Sequence, residues 1–140
     1  KCSRRPIVYA PGPIVVYPRP YSEPAGEWIL LDRFAEIDPN NPYSSYQNNS
    51  LSYDVNRHGI DGIELIIRDE NLFVENIYVT YSNGETDVVS GINGFYPEGR
   101  SVVSFDIDRY RLVQNITIVG YSTDPNDDVE LTVRIYQTYN

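Results

Sequence analysis

Methionine is absent from this 140-residue sequence, and cysteine, histidine, tryptophan and lysine occur once each. With Cys2 alone, no intrachain disulfide can form and a cysteine-built metal cage is excluded. With His58 alone, set in the polar turn Arg57-His58-Gly59, a Ser-His-Asp triad has no local serine and carboxylate to complete it, and a zinc site would be short of nitrogen ligands. His58 therefore reads as an exposed loop histidine. No apolar run approaches the roughly 20 residues of a membrane-spanning helix, so a soluble domain is expected. Nothing resembles a retained signal peptide, and the missing methionine reads as the mark of a processed or trimmed product. A bacterial lipoprotein carries its lipid on a mature N-terminal cysteine. Lys1 disfavours that anchor at Cys2, because processing prefers a small residue just before it.

What is abundant is acid and tyrosine. The chain has a net charge of −9 and 13 tyrosines. Lys1, Arg4, Arg5 and Arg19 are the only charges in residues 1–20, so the rest of the chain carries −13. Such a body repels nucleic-acid phosphates, which excludes DNA or RNA as the expected partner. Apolar residues make up 41% and charged residues 22%, a composition that folds, and the length suits one domain.

The organising pattern is a period of two. Ile63, Leu65 and Ile67 alternate with Glu64, Ile66 and Arg68; Ile77, Val79 and Tyr81 alternate with Tyr78, Thr80 and Ser82. Alternation of this kind makes a strand with one buried face, and no stretch carries a sustained i, i+3, i+4, i+7 recurrence. Asp69-Glu70-Asn71 and Asn83-Gly84 supply turn chemistry, so residues 62–84 read as a central hairpin with a return strand at 85–89. Trp28, Leu30 and Asp32 alternate with Ile29, Leu31 and Arg33 in a first strand anchored by the tryptophan. Leu51, Tyr53 and Val55 mark a second strand. Residues 101–108 read as a further strand, with Val103, Phe105 and Ile107 expected inward and Val102, Ser104 and Asp106 outward. Residues 112–121 and 129–136 read as a final antiparallel pair. Seven to nine short strands without a helix predict an all-β fold, an antiparallel β-sandwich of jelly-roll type. Val74-Glu-Asn76-Ile77 is echoed by Val113-Gln-Asn115-Ile116, which suggests equivalent strands in two sheets, with a β-bulge near Gly120.

Residues 1–26 hold six prolines and read as a basic tether, with Ile14–Tyr17 able to form one edge strand; residues 27–140 form the sandwich. Residues 35–50 and 91–99 read as surface loops, where function concentrates. Tyr43, Tyr46, Tyr53, Phe95 and Tyr96 are the candidate ligand-binding residues, since aromatic rings stack on sugars or proteins beside the amides of Gln47, Asn48 and Asn49. Asp124, Asn126, Asp127 and Asp128 are the candidate oxygen ligands for Ca²⁺, although the loop lacks the EF-hand pattern. Asp38, Asn40 and Asn41 form a second, weaker set. Sequons at Asn48 and Asn115 match the glycosylation motif without indicating a source.

Trp28-Ile-Leu-Leu31, the alternating 62–85 stretch, Tyr96-Pro-Glu-Gly99-Arg-Ser, Asp106 and the closing VELTVRIYQ occur in an order that resembles a group of small exported bacterial β-sandwich domains, typified by an uncharacterised enterobacterial periplasmic protein. The resemblance covers residues 27–137. Members usually place a glycine after the W-x-x-L segment, where this chain has Asp32. The resemblance implies export and a sandwich, with no catalytic residues. The expectation is a secreted, periplasmic or cell-surface domain, non-catalytic, that binds a protein or envelope component. The alternative is a carbohydrate-binding module using loop aromatics, with or without structural Ca²⁺.

Overall fold

The computed structural model describes residues 14–16, 24–41, 43–44 and 47–139. The expectations placed on Cys2, on Tyr46 and on most of the 1–26 arm lie outside those residues. Among the described residues there are ten strands and no helix: β1 (Ile14–Val16), β2 (Gly26–Ile37), β3 (Ser50–Arg57), β4 (Ile60–Asp69), β5 (Leu72–Tyr81), β6 (Thr86–Val88), β7 (Gly94–Tyr96), β8 (Ser101–Ser104), β9 (Val113–Ser122) and β10 (Val129–Thr138). They form two sheets, β1-β8-β4-β10-β2 and β3-β9-β5-β6, with β7 pairing further along β5. Every pairing is antiparallel except that of β1 with β8.

From β2 to β5 and again from β7 to β10 the chain changes sheet at every connection, and that is what makes the sandwich jelly-roll-like. It also corrects the reading of residues 62–84 as a hairpin. β4 and β5 lie in different sheets, so Asp69-Glu70-Asn71 is an arch that carries the chain across the core. Glu70 takes a positive φ of 61° to make that corner. The final pair is likewise an arch: β9 pairs β5 and β3, and β10 pairs β4 and β2. In both cases alternation places each strand's apolar face inward, and the two faces meet across the interior instead of side by side. The echoed segments prove to be neighbours within one sheet, since β5 pairs β9. The bulge lies there too, but the additional residue is Glu75 on β5, opposite Gly120.

Ile63, Leu65 and Ile67 from one sheet meet Ile77, Val79, Ile116 and Ile118 from the other, all essentially without solvent exposure. Filling each such site with a branched apolar chain contributes about 1.5–3 kcal/mol. The 91–99 segment is less of a loop than expected. β6 and β7 form one interrupted edge beside β5, and the interruption dips inward so that Val89 and Ile92 fill the core. Ala35 and Ile37, placed in the first loop by their sequence, are the buried end of β2.

A second cluster sits outside the first sheet: Trp28 packs on Phe105 and Tyr136, with Val103 beneath. It reverses the expectation for residues 102–105, while Ile107 joins the inter-sheet core as expected. Val102 faces the inter-sheet core, whereas Val103 and Phe105 pack outside it under the tryptophan, and Ser104 is fully buried beside Ile63. The strand ends at Ser104 instead of reaching Asp108.

Candidate functional site

The broadest candidate surface is the outer face of β4, β10 and β2. Alternation along β4 and β10 sends Glu64, Ile66, Arg68, Glu130, Thr132 and Arg134 outward. Register shifts between β2 and β10 break the alternation after Leu31. Asp32 consequently accepts a hydrogen bond from Tyr53 Oη at 2.8 Å, while Arg33 turns out beside Trp28 and Leu30. Phe34 is 65% exposed and Leu30 43%. Together Trp28, Leu30, Arg33, Ile66, Arg68 and Arg134 line a groove of about 410 Å³. Arg134 lies 5.3 Å over the Trp28 ring, and Arg68 4.9 Å over Phe34. Arg134 Nε donates to Glu64 Oε1 at 2.6 Å, and Arg68 Nη2 pairs with Glu130 at 2.9 Å. Arg33 makes no ion pair among the described residues. Three arginines and no acid line the groove; two of them are paired with glutamates, which leaves Arg33 as its local positive charge on an acidic body.

A second surface crosses the other sheet. Phe73 stands opposite both Phe95 and Tyr121, so three rings from β7, β5 and β9 form a row about 10 Å across. Phe73 and Tyr121 stack with centroids 5.3 Å apart and planes 24° from parallel, so each covers one face of the other. Tyr121 continues into a depression of about 380 Å³ with Pro39, Asn40, Thr123 and Pro125.

Of the sequence-predicted ligand residues, Phe95 belongs to this row and Tyr43 stands 96% exposed on the long loop. Tyr46 lies outside the described residues. Tyr96 is buried, with its hydroxyl donating to Ile92 O at 2.7 Å, because the core closes over the interrupted edge. Tyr53 is half-buried on β3. Its phenol is pushed above the usual tyrosine range, first by burial and then by the hydrogen bond and charge of Asp32. Both hydroxyls are engaged within the fold. The side-chain amides expected to face a ligand hold the loop instead: Gln47 Oε1 accepts from Asn41 N, Asn48 Nδ2 donates to Glu36 O at 3.4 Å, and Asn49 Nδ2 donates to Asp38 O. The Asn115 sequon lies inside β9, where the Asn115 amide donates to Ser52 and Asp54.

The acidic loop is only partly as expected. Asp124 and Asp127 converge with Glu70, a residue not among the predicted ligands, with carboxylate oxygens within 4.8 Å of one another. Burial and then the charges of Asp124, Asp127 and Asp69 raise the Glu70 carboxyl above its ordinary range. Asp128 turns away to Asp38, and burial followed by Asp38's charge raises it as well. Asn126 contributes its backbone N to Asp124 Oδ1 at 2.9 Å. Three oxygens make at most half of the six to eight that Ca²⁺ takes. Glu70 joins through the β4–β5 arch, so spacing within residues 124–128 carries no sign of it.

No family model and no curated protein matches this chain. Among solved structures, one described as the structure of infectious bursal disease virus Gx strain is similar at 14% identity and a TM-score of 0.40, over 84% of this chain and 33% of that one. The chain thus spans about a third of that protein's length, and the likeness is too loose to bear on ligand or assembly.

Proposed function

We propose that this is a non-catalytic binding domain of the cell envelope or exterior, and that it holds a protein or envelope component bearing carboxylates on the outer face of β4, β10 and β2. The observation that carries the reading is the groove in which Trp28 and Leu30 stand among Arg33, Arg68 and Arg134, with exposed Phe34 beside it under Arg68. Tryptophan, phenylalanine and arginine are the residues that interfaces enrich, and lysine, which they deplete, is nearly missing from the chain. The positive balance favours an acidic partner over the chain's own basic arm. The exported setting rests on the resemblance of residues 27–137 to exported sandwich domains. The non-catalytic reading is supported by the sole histidine, which is exposed in a turn with its carbonyl oxygen engaged by Gln137. Binding of the purified domain to envelope fractions tests it. Leu30→Glu with Arg33→Glu, both exposed positions, should lower retention at least tenfold without lowering Tm; unchanged retention refutes the reading.

The aromatic row favours a second reading, a glycan-binding module with Tyr121 and Phe95 as platform. The mutual stacking of Phe73 and Tyr121 leaves fewer free ring faces than sugar stacking needs, which ranks it second. A glycan array run with and without Ca²⁺ decides: binding lost in Tyr121→Ala supports it, and silence across the array removes it.

A further inference from the structure

The aromatic row of the second sheet has a border the glycan reading leaves unused. Phe95 is exposed, and Tyr121 continues the row into the depression between Pro39 and Pro125. The stack of Phe73 on Tyr121 takes up ring faces that a sugar would need, but ring edges and proline rings still offer apolar area. Among the described residues no guanidinium lies over any of the three rings. Acid rims the row at one end. Glu98 lies two residues beyond β7 and accepts from Glu70 N at 3.3 Å, and Glu70 converges with Asp124 and Asp127 beyond the end of β9. None of these four carboxylates enters an ion pair among the described residues.

β1 shows where the chain upstream of it must leave. Ile14 pairs with Val102 and Val16 with Ser104 in parallel, so residues before Ile14 depart past the beginning of β8. There the turn 97–100, closed by Arg100 N donating to Pro97 O at 3.1 Å, joins β8 to β7, and β7 carries Phe95. The upstream segment is thus delivered to the acid-rimmed edge of the row. Its chemistry is complementary: Arg4 and Arg5, then Pro6-Ile7-Val8-Tyr9, then Pro11 and Pro13, with no acid. The nine residues from Arg5 to Ile14 reach about 28 Å as polyproline-like chain at about 3.1 Å per residue. Crossing from one sheet to the other takes about 10 Å and following the row about 10 Å more, so Arg4 and Arg5 arrive beside Tyr121, Asp124 and Asp127.

Aromatic-lined surfaces take proline-rich chain at low entropic cost, because the extended form is already preferred before docking. Guanidinium groups meet carboxylates in charge-assisted, bidentate geometry. A neutral sugar would leave the acid rim without a role, and a nucleic acid would be repelled by it. We propose that residues 4–13 of this chain dock in cis across Phe95, Phe73 and Tyr121, with Arg4 and Arg5 paired to Glu70, Asp124 and Asp127. Docked there, the arm closes the row to any other partner until it is displaced, and the arginine groove on the opposite sheet stays open.

Cys2 is the sole cysteine, so a nitroxide attached to it in the intact chain reports the arm's position by broadening nearby backbone-amide NMR signals. The expected result is that residues 73, 95, 98 and 121–127 lose most of their peak intensity, while residues 54–57 and 108–111 at the opposite end keep theirs. A mixture of nitroxide-bearing chain without isotope and isotope-enriched chain without nitroxide should show no broadening, because the contact lies within one chain. Arg4→Glu with Arg5→Glu, and separately Phe95→Ser, should each restore most of the lost intensity; neither change touches the inter-sheet core. Broadening in the mixture assigns the surface to a second copy and overturns the proposal. Uniform or absent broadening, broadening centred on the arginine face, or undiminished broadening in either variant overturns it as well.

Discussion

Arg134→Met separates a buried ion pair from an exposed one on the same sheet face. Arg134 donates through Nε to Glu64 Oε1 at 2.6 Å and pairs with the same oxygen through Nη2. Glu64 is only 7% exposed, so removing the guanidinium leaves a carboxylate in a nearly dry site. Breaking a fully buried pair costs about 3–5 kcal/mol. Arg134 keeps 35% of its side chain in solvent, which screens the pair and lowers the expected loss to about 2 kcal/mol. For a domain of this length that is a fall in Tm of roughly 6–8 °C. Methionine retains the apolar stem, so the loss reports the charge and not the packing. Arg68→Met is the comparison: Arg68 and Glu130 are 32% and 34% exposed, and losing that pair should cost less than about 1 kcal/mol. Adding Glu64→Gln to Arg134→Met should restore at least half of the loss, because a neutral amide needs no counter-charge. Urea unfolding followed by circular dichroism reads all four proteins. An Arg134→Met loss no larger than that of Arg68→Met, or a double variant no more stable than the single, refutes the burial argument.

Other outcomes follow from the same geometry. Burial raises the Asp61 carboxyl against the opposing charge of Arg109, so the native state holds its proton longer than the unfolded chain. The stability Asp61 contributes is complete below its unfolded value of about 4 and is lost as pH rises through the native value. Relative to the parent, Asp61→Asn should therefore be more favourable at pH 7 than at pH 4 in denaturation midpoints; the opposite order refutes it. Gly120→Ala would place a Cβ 2.4 Å from Phe73 O across the bulge, and should cost about 1–3 kcal/mol in thermal unfolding, since the contact is backbone and cannot swing aside. Tyr53→Phe removes the hydrogen bond to Asp32 and should cost about 1 kcal/mol. An ultraviolet titration of the parent should show three tyrosines, Tyr53, Tyr81 and Tyr96, missing from the ionisation near the ordinary value, since burial raises all three.

Alternation made β4, β5, β9 and β10 legible in the sequence, down to the faces of Ile63, Leu65 and Ile67. It was silent on partners, because side-chain direction does not say which backbone lies alongside. Asp69-Glu70-Asn71 has the length of a hairpin turn and serves as an arch. Only the pairing of Leu65 with Val102 and Val133 distinguishes the two. Tyr96 looked like a loop residue because the burial of Ile92 and Tyr96 depends on β5 lying beside them. The arginine groove joins Trp28, Ile66 and Arg134 across three strands distant in sequence, and Asp61 stands alone between Ile60 and Gly62. Neither leaves a local pattern to read.

The sheet-face assignment meets its most direct test in site-specific photo-crosslinking in cells that produce the chain. A photoreactive phenylalanine replaces Phe34 on the arginine face, or Thr117 on the outer face of β9. The assignment predicts a discrete adduct from position 34 that disappears when Arg33→Glu is added, and none from position 117. The same adducts from both faces, or none from position 34, would contradict it.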